Sequence, residues 1–167
     1  MAKLGLVRLN ELMPVLVEDG TISLSGEWIE LYNGGRMAID LSGWLLDDGI
    51  GGSEPYTMPK GSVLRPGAFA LFPGSVTGLV LEDSGDRVRL MNVKGMIVDS
   101  VIFGELVPNA SYSRDKAGVW HDDWPPSPGE PNLPPQVEPP AGAELLSLGP
   151  VGVRARTLSE DVTRWMR

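Results

Sequence analysis

The residues best suited to chemistry in this chain are acidic, and they lie at the ends of apolar runs. Asp47 and Asp48 come before a Gly-rich segment, while Asp83 and Asp86 flank a Ser-Gly pair. Calcium needs several converging oxygen ligands, so these four residues are candidate metal ligands. Asp and Gly are also the usual residues of tight turns, because of their backbone geometry. The spacing lacks the long alternating ligand run of a helix–loop–helix calcium site. The pattern therefore favours turns over a calcium site, and no other cofactor is predicted.

Three glutamates, Glu11, Glu27 and Glu30, form a second candidate group. Paired carboxylates can do acid–base work, as in glycosidases. Alternation along its strand places Glu30 away from the apolar face, toward solvent or a partner strand. No complementary group is evident, so a polar network between strands is favoured over catalysis, with Arg8 or Arg89 as partners. The same three glutamates are also candidates for contact with a partner.

The single histidine, His121, lies in a short segment between Trp120 and Trp124. Beside two aspartates it could act as a ligand or a base. Without a second motif, the pattern favours an exposed loop between two packed tryptophans. Trp120 and Trp124 themselves are either a partner surface or a cap on the open end of the fold. No nucleophile elbow, zinc-protease motif or phosphate loop occurs, so the sequence predicts no enzyme.

Charge and composition exclude several classes of function. The net charge is −8 and the 14 basic residues are scattered, which disfavours binding to nucleic acid. The absence of cysteine excludes disulfides and thiolate metal sites. No signal peptide and no apolar run long enough to span a membrane are present. We expect a cytoplasmic location if the chain is complete, and an extracellular or cell-envelope location if it belongs to a larger exported protein. The oligomeric state stays open.

The elements that would position these residues are short strands. The 21 Gly and 15 Pro residues sit singly between short apolar runs, as in all-β domains with many turns. Eight to ten strands are predicted, including residues 27–32, 88–91 and 97–103, and also residues 78–81. Strands of this length and spacing form a sandwich or a barrel.

The C-terminal part has a different composition. Residues 125–140 are rich in proline and predict an extended, polyproline-like tether. Residues 144–153 include two apolar runs that favour short strands. A capping box at Thr157 and Glu160 predicts a short helix that reaches Arg167. The predicted organisation is a sandwich domain over residues 1–132, a Pro-rich linker over 133–143 and a C-terminal segment over 144–167.

Several segments, in the same order, resemble bacterial lamin tail domains. The first three are Arg-Leu-Asn-Glu-Leu-Met-Pro at 8–14, Glu-Trp-Ile-Glu-Leu-Tyr-Asn at 27–33 and Asp-Leu-Ser-Gly-Trp-Leu-Leu-Asp-Asp at 40–48. Further matches occur at residues 64–67, 84–90, 98–101, 111–114 and 127–132. The resemblance covers roughly residues 6–132, and its weight comes from the number of motifs rather than from any single one.

The resemblance implies an immunoglobulin-like antiparallel β-sandwich, with Trp44 in the core. It implies no catalytic residue. Members of the family look like add-on modules of larger proteins, so the expected function is non-catalytic binding of a protein, glycan or envelope component. The alternative is an accessory domain of a larger secreted or envelope-linked hydrolase, for which calcium is a candidate ligand.

Overall fold

The computed structural model describes residues 7–14, 17–18, 21–22, 26–49 and 51–136. This part of the chain contains thirteen strands and one four-residue helix. The strands are β1 (Val7–Met13), β2 (Val17–Glu18), β3 (Thr21–Ile22), β4 (Trp28–Asn33), β5 (Ile39–Asp40), β6 (Leu45–Asp47), β7 (Tyr56–Thr57), β8 (Val63–Leu64), β9 (Phe69–Pro73), β10 (Gly85–Met91), β11 (Ile97–Gly104), β12 (Ser111–Arg114) and β13 (Trp120–Trp124). The helix, α1, spans Gly74–Thr77 and lies between β9 and β10.

The strands form two main sheets, in which every paired strand is antiparallel to its neighbour. One sheet has five strands in the order β13-β12-β1-β4-β9, and the other has four in the order β11-β10-β6-β7. Two smaller pairs, β2-β3 and β5-β8, complete the fold. The first strand therefore lies at the centre of the larger sheet, between the fourth strand and the twelfth. The expected all-β, immunoglobulin-like sandwich is confirmed.

A β-bulge in the first strand sets which side chains enter the core. Leu9 and Leu12 are both buried in the core, although residues three apart in a regular strand point to opposite faces. The register against β4 shifts between Leu9 and Glu11, which adds one residue to β1 at Asn10. Because of this bulge, Leu9 and Leu12 share the inner face while Glu11 takes the outer one.

The core fills the space between the two sheets with aliphatic side chains. It includes Leu31 from β4, Leu46 from β6, and Val88 and Leu90 from β10, each fully buried. Trp44, which the resemblance places in the core, is only partly buried and packs against this cluster. Each such side chain contributes about 1.5–3 kcal/mol through burial of apolar surface. The sandwich is thus held by a continuous apolar layer.

Two of the predicted elements need correction. Residues 78–81 do not form a strand: α1 ends at Thr77, and the next residue, Gly78, has the left-handed φ of 74° typical of a helix end. The segment that contains His121 is also not a loop, because Trp120–Trp124 is a strand paired with β12. The run Trp-His-Asp-Asp-Trp lacks the alternation of apolar and polar residues from which a strand is inferred.

The described strands all lie within residues 1–135, the first of two units into which the chain divides. The predicted strands at 144–153 and the predicted helix at 157–167 lie outside the described residues, and the linker and domain boundaries remain predictions. Within the described part of the chain, no helix is long and apolar enough to cross a membrane.

Candidate functional site

The most unusual feature of the sandwich is a pair of glutamates buried on the outer face of the larger sheet. Glu11 on β1 and Glu30 on β4 are direct neighbours across the two strands. Both side chains are fully buried. A carboxylate removed from water must be hydrogen-bonded or paired to offset its desolvation. The groups around each carboxylate therefore decide what the pair can do.

Glu11 accepts hydrogen bonds from donors in two later segments of the chain. Its Oε1 accepts hydrogen bonds from Ser111 Oγ at 2.6 Å and Ser113 Oγ at 2.9 Å, both on β12. The backbone N–H of Ser127 donates to the same oxygen at 3.0 Å. Ser127 Oγ lies 3.2 Å from Oε2. Glu11 thereby fastens the neighbouring strand and a segment more than a hundred residues away to β1.

Glu30 is held by one side chain and one backbone group. Asn10 Nδ2 donates to its Oε1 at 2.9 Å, and the N–H of Gly129 donates to its Oε2 at 2.5 Å. Burial raises the pKa of Glu30, and the charge of Glu11 acts in the same direction, whereas the two hydrogen bonds oppose the rise. Glu30 thus serves as a hydrogen-bond acceptor within the sheet, and its pKa reflects a balance between burial and these two hydrogen bonds.

Asn132 completes the contacts of residues 127–132, here called the closing segment. Its Nδ2 donates to the backbone oxygens of Asn10 and Arg114, each at 2.9 Å. Its Oδ1 accepts from Ser127 Oγ at 2.7 Å. The closing segment therefore lies on the larger sheet, bonded to β1, β4 and β12. The expectation of a free tether from residue 125 is wrong for this part.

Glu27 belongs to a separate contact. Its Oε2 accepts the N–H of Leu81 at 2.9 Å, and its buried Oε1 has no hydrogen-bond partner in the described structure. Burial raises the pKa of Glu27, opposed by the Leu81 hydrogen bond. Glu27 ties the segment after α1 to the sheet and shares none of the hydrogen-bond partners of Glu11 and Glu30.

A polar network between strands is therefore present, but its expected partners are wrong. Arg89 pairs with Asp47 and not with a glutamate, and buried Arg8 Nε has no hydrogen-bond partner among the described residues. The true partners are serines, asparagines and backbone N–H groups. Because these donors occupy Glu11 and Glu30, a partner would have to displace the closing segment to reach either carboxylate.

The four candidate calcium ligands are Asp47, Asp48, Asp83 and Asp86, and the structure gives them different hydrogen-bond partners and exposure. Asp47 is buried and paired with Arg89, whose Nε donates to Oδ2 at 2.6 Å. Asp48 accepts the N–H of Ser53 at 2.8 Å, and Asp86 accepts the N–H of Arg87 at 2.6 Å. Burial raises the pKa of Asp86, helped by Asp48 and Asp47.

Asp83 is exposed in the turn before β10. Across the described residues, no three His, Asp or Glu side chains are arranged to hold a metal ion. Calcium binding stays a prediction, and the carboxylates act in this structure as turn and ion-pair acceptors.

The two tryptophans of β13 have different environments. Trp120 packs against the core and stacks on Tyr112, with ring centroids 5.0 Å apart. Trp124 is half-buried and stacks on His121 at 4.0 Å. His121 Nε2 lies 3.2 Å from a carboxylate oxygen of Asp115. Trp120 therefore caps the core, while Trp124 and His121 form a small platform that solvent can reach.

Sequence reasoning missed the residues that bind the glutamates. Ser111 and Ser113 are two apart on one strand, so they share a face, which is a signal that could have suggested a common acceptor. Asn132, which bonds to Ser127, Asn10 and Arg114 rather than to the glutamates, carried no such signal, because its contacts form only after the chain has returned to β1. Serines and asparagines in isolated positions are far more often turn or surface residues.

Two comparisons with known proteins bear on this arrangement. A sequence model of the family described as Lamin Tail Domain matches residues 2–105. That match includes β1, β4 and both glutamates, and it ends before β12, β13 and the closing segment. No curated protein matches the chain. The family is one of non-catalytic, immunoglobulin-like domains. With most of its length covered by that match and the expected sandwich in place, the chain belongs to the lamin tail domain family.

Proposed function

We propose that this chain is a non-catalytic interaction module that binds a protein or an envelope component. The main support for the proposal is that the buried carboxylates already have hydrogen-bond donors within the chain. Glu11 and Glu30 accept hydrogen bonds from the chain's own serines, asparagine and backbone. A general acid or base needs a free position within reach of its substrate. These carboxylates hold strands together instead.

The surface best suited to a partner is the edge formed by β13. This strand pairs with β12 on one side, and no described strand pairs with its other side. An edge strand can accept an extended segment of another protein through main-chain hydrogen bonds. The stacked rings of Trp124 and His121 stand on this strand and offer apolar contact. The module would use the backbone for affinity and the rings for selectivity.

The test is capture of partners from fractionated host lysate on the immobilised full-length chain. Wild type is compared with Trp124→Ala, which removes the exposed ring, and with Val76→Ala as a matched control. Val76 lies on α1 and is 65% exposed, so its truncation removes surface apolar area elsewhere. We expect Trp124→Ala to lose a protein that wild type and Val76→Ala both retain, with unchanged circular dichroism.

Two results would contradict the proposal. One is equal capture of the same proteins by wild type, Trp124→Ala and Val76→Ala, which would show that the exposed ring on β13 does not contribute to binding. The other is a hydrolase turnover of the purified chain that Glu30→Gln abolishes without unfolding, because a structural acceptor does not support turnover.

A further inference from the structure

A cavity of about 340 Å³ lies beside the closing segment. Its lining includes Arg8 from β1, Tyr32 from β4, Phe69 from β9, and Arg114 and Lys116 from the end of β12 and the loop after it. This volume lies at the lower end of the range for small-molecule sites. Residues far apart in sequence thus meet around one concave surface.

The charge of this cavity is opposite to that of the chain. Three cations, Arg8, Arg114 and Lys116, line it, and no Asp or Glu does. The whole chain carries a net charge of −8. Arg114 is paired with Asp99 at 2.8 Å, whereas Arg8 and Lys116 take part in no ion pair among the described residues. Two positive charges therefore line the cavity without a direct ion pair, although the carboxylates of Asp99 and Asp115 lie near enough to act on Arg8.

Arg8 has an unsatisfied hydrogen-bond donor that the contacts within the fold do not account for. Its Nε is buried and has no hydrogen-bond partner in the described structure. A buried donor left without an acceptor costs free energy, and more so when it belongs to a charged group. Burial lowers the pKa of Arg8 and the nearby charge of Arg114 lowers it further, while Tyr32, Asp99 and Asp115 partly oppose the shift. A guanidinium in this position would be stabilised by an anion.

Two aromatic rings fix the position of that guanidinium. The Arg8 guanidinium carbon lies 5.3 Å from the centre of the Tyr32 ring, within the range of a cation–π interaction. Tyr32 packs on Phe69 with ring centroids 4.8 Å apart. The planar donor fork is thus held beside an apolar wall, and Lys116 is exposed at the cavity rim. Such a pairing suits a ligand with one anionic end and one apolar part.

We propose that this cavity binds a carboxylate group carried next to an apolar side chain, as at the end of a peptide. Arg8 pairs with the carboxylate as a planar fork, Lys116 adds the second positive charge, and Tyr32 and Phe69 contact the apolar part. A planar carboxylate matches the geometry of a guanidinium. The net negative charge of the chain repels polyanions such as nucleic acid, which favours a single carboxylate. This inference deepens the proposed interaction role but uses a different surface from β13.

The test is a titration of the full-length, ¹⁵N-labelled chain followed by NMR. The probes are acetyl-Gly-Phe with a free carboxylate, the same dipeptide with a C-terminal amide, benzoate and inorganic phosphate. We expect the free carboxylate peptide to shift the amide signals of Arg8, Tyr32 and Phe69 saturably, and the amide form to shift none. Binding of benzoate as tightly as the peptide would assign the site to small free carboxylates, and weaker benzoate binding would assign it to peptides.

Three variants make the result specific. Arg8→Gln should weaken binding by about tenfold or more, as expected for loss of a hydrogen bond to a charged group. Lys116→Gln removes an exposed charge without burying anything, so it tests the site even if Arg8→Gln fails to fold. Lys94→Gln, an exposed lysine that does not line the cavity, should bind as wild type does.

Equal binding of the amide and the free acid would overturn the proposal, as would phosphate binding as tightly as the peptide. Absence of saturable shifts with every probe would overturn it as well. Trp124→Ala should leave the peptide affinity unchanged, so failure of this site and failure of the β13 surface are separate results.

Discussion

Glu11 and Glu30 lie directly opposite each other on adjacent strands, and both carboxylates are fully buried. Like charges at opposed positions in a sheet normally destabilise it. Here each carboxylate oxygen has a donor within hydrogen-bond distance, and two of the donors are backbone N–H groups of Ser127 and Gly129. The pair therefore binds the end of the sandwich to its first strand, at the cost of placing two acids together.

Replacing Glu11 tests this fastening most directly. Glu11→Ala leaves the hydroxyls of Ser111 and Ser113 and the N–H of Ser127 without their acceptor. Unsatisfied buried groups each cost about 1–3 kcal/mol, so we expect the free energy of unfolding to fall by about 3 kcal/mol or more. Urea unfolding followed by tryptophan fluorescence measures it. Glu130→Ala, at an exposed position in the closing segment, should change the value by less than about 0.5 kcal/mol. Equal values for the two variants would contradict the assigned role.

The raised pKa of Glu30 predicts how stability depends on pH. Its ordinary value is 4.5, and burial raises it in the folded chain. As pH rises, the unfolded chain loses the proton first, so the contribution of Glu30 to stability is greatest below about pH 4.5 and is lost as pH rises through the folded pKa. In Glu30→Gln this contribution is absent, and the decline in stability as pH rises above about 4.5 should be shallower.

The same reasoning applies to Glu27, whose pKa is raised chiefly by burial. Unfolding free energies of wild type, Glu30→Gln and Glu27→Gln at several pH values give the comparison. Parallel curves for wild type and both variants would show that neither carboxyl has a raised pKa.

Asn132 should control the docking of the closing segment. Asn132→Ala removes the donors to the backbone oxygens of Asn10 and Arg114, both of which accept from it in the wild type. We expect a loss of about 1–3 kcal/mol and faster hydrogen exchange in residues 127–132. Mass spectrometry of exchanged peptides measures the latter. Leu133→Ala, at a residue 53% exposed, is the control and should exchange as wild type does.

Gly85 and Gly104 offer a matched pair for the geometry of the smaller sheet. They face each other across β10 and β11, yet only Gly85 has a left-handed φ, of 117°. A Cβ on Gly85 would lie 2.7 Å from the backbone oxygen of Phe103, whereas a Cβ on Gly104 would meet nothing within 4 Å. Gly85→Ala should cost about 1–3 kcal/mol or more through strain and crowding. Gly104→Ala should be close to neutral, and thermal unfolding of the two variants compares them.

Much of the fold could be predicted from sequence, because the signal is local. Strands such as β4 and β10 alternate clearly, and the turns between strands carry Gly, Asn and Asp. Family resemblance then supplied the sandwich. The bulge at Asn10 was not predictable in this way, since it moves Glu11 to the outer face through a register shift that depends on β4.

The candidate site was predicted only in part, for a physical reason. Glu11 and Glu30 stood out because a glutamate within an apolar strand is unusual, but their partners Ser127 and Gly129 are more than ninety residues later. Nothing local marks a serine or a glycine as the partner of a distant carboxylate. The Arg8 cavity likewise depends on β12 returning to the side of β1.

The central place of β1 in the larger sheet has a consequence for how the protein is made. Its neighbour β12 and the closing segment are synthesised about a hundred residues after it, so the first strand leaves the ribosome long before these two partners exist. Until β12 has emerged, one edge of β1 is unpaired, and until residues 127 and 129 have emerged, Glu11 and Glu30 each lack a native hydrogen-bond donor. Folding dominated by such distant pairings is slow and exposes strand edges to aggregation. Completion of this domain on the ribosome therefore waits for its last segment, and nascent chains shorter than this should depend on chaperones.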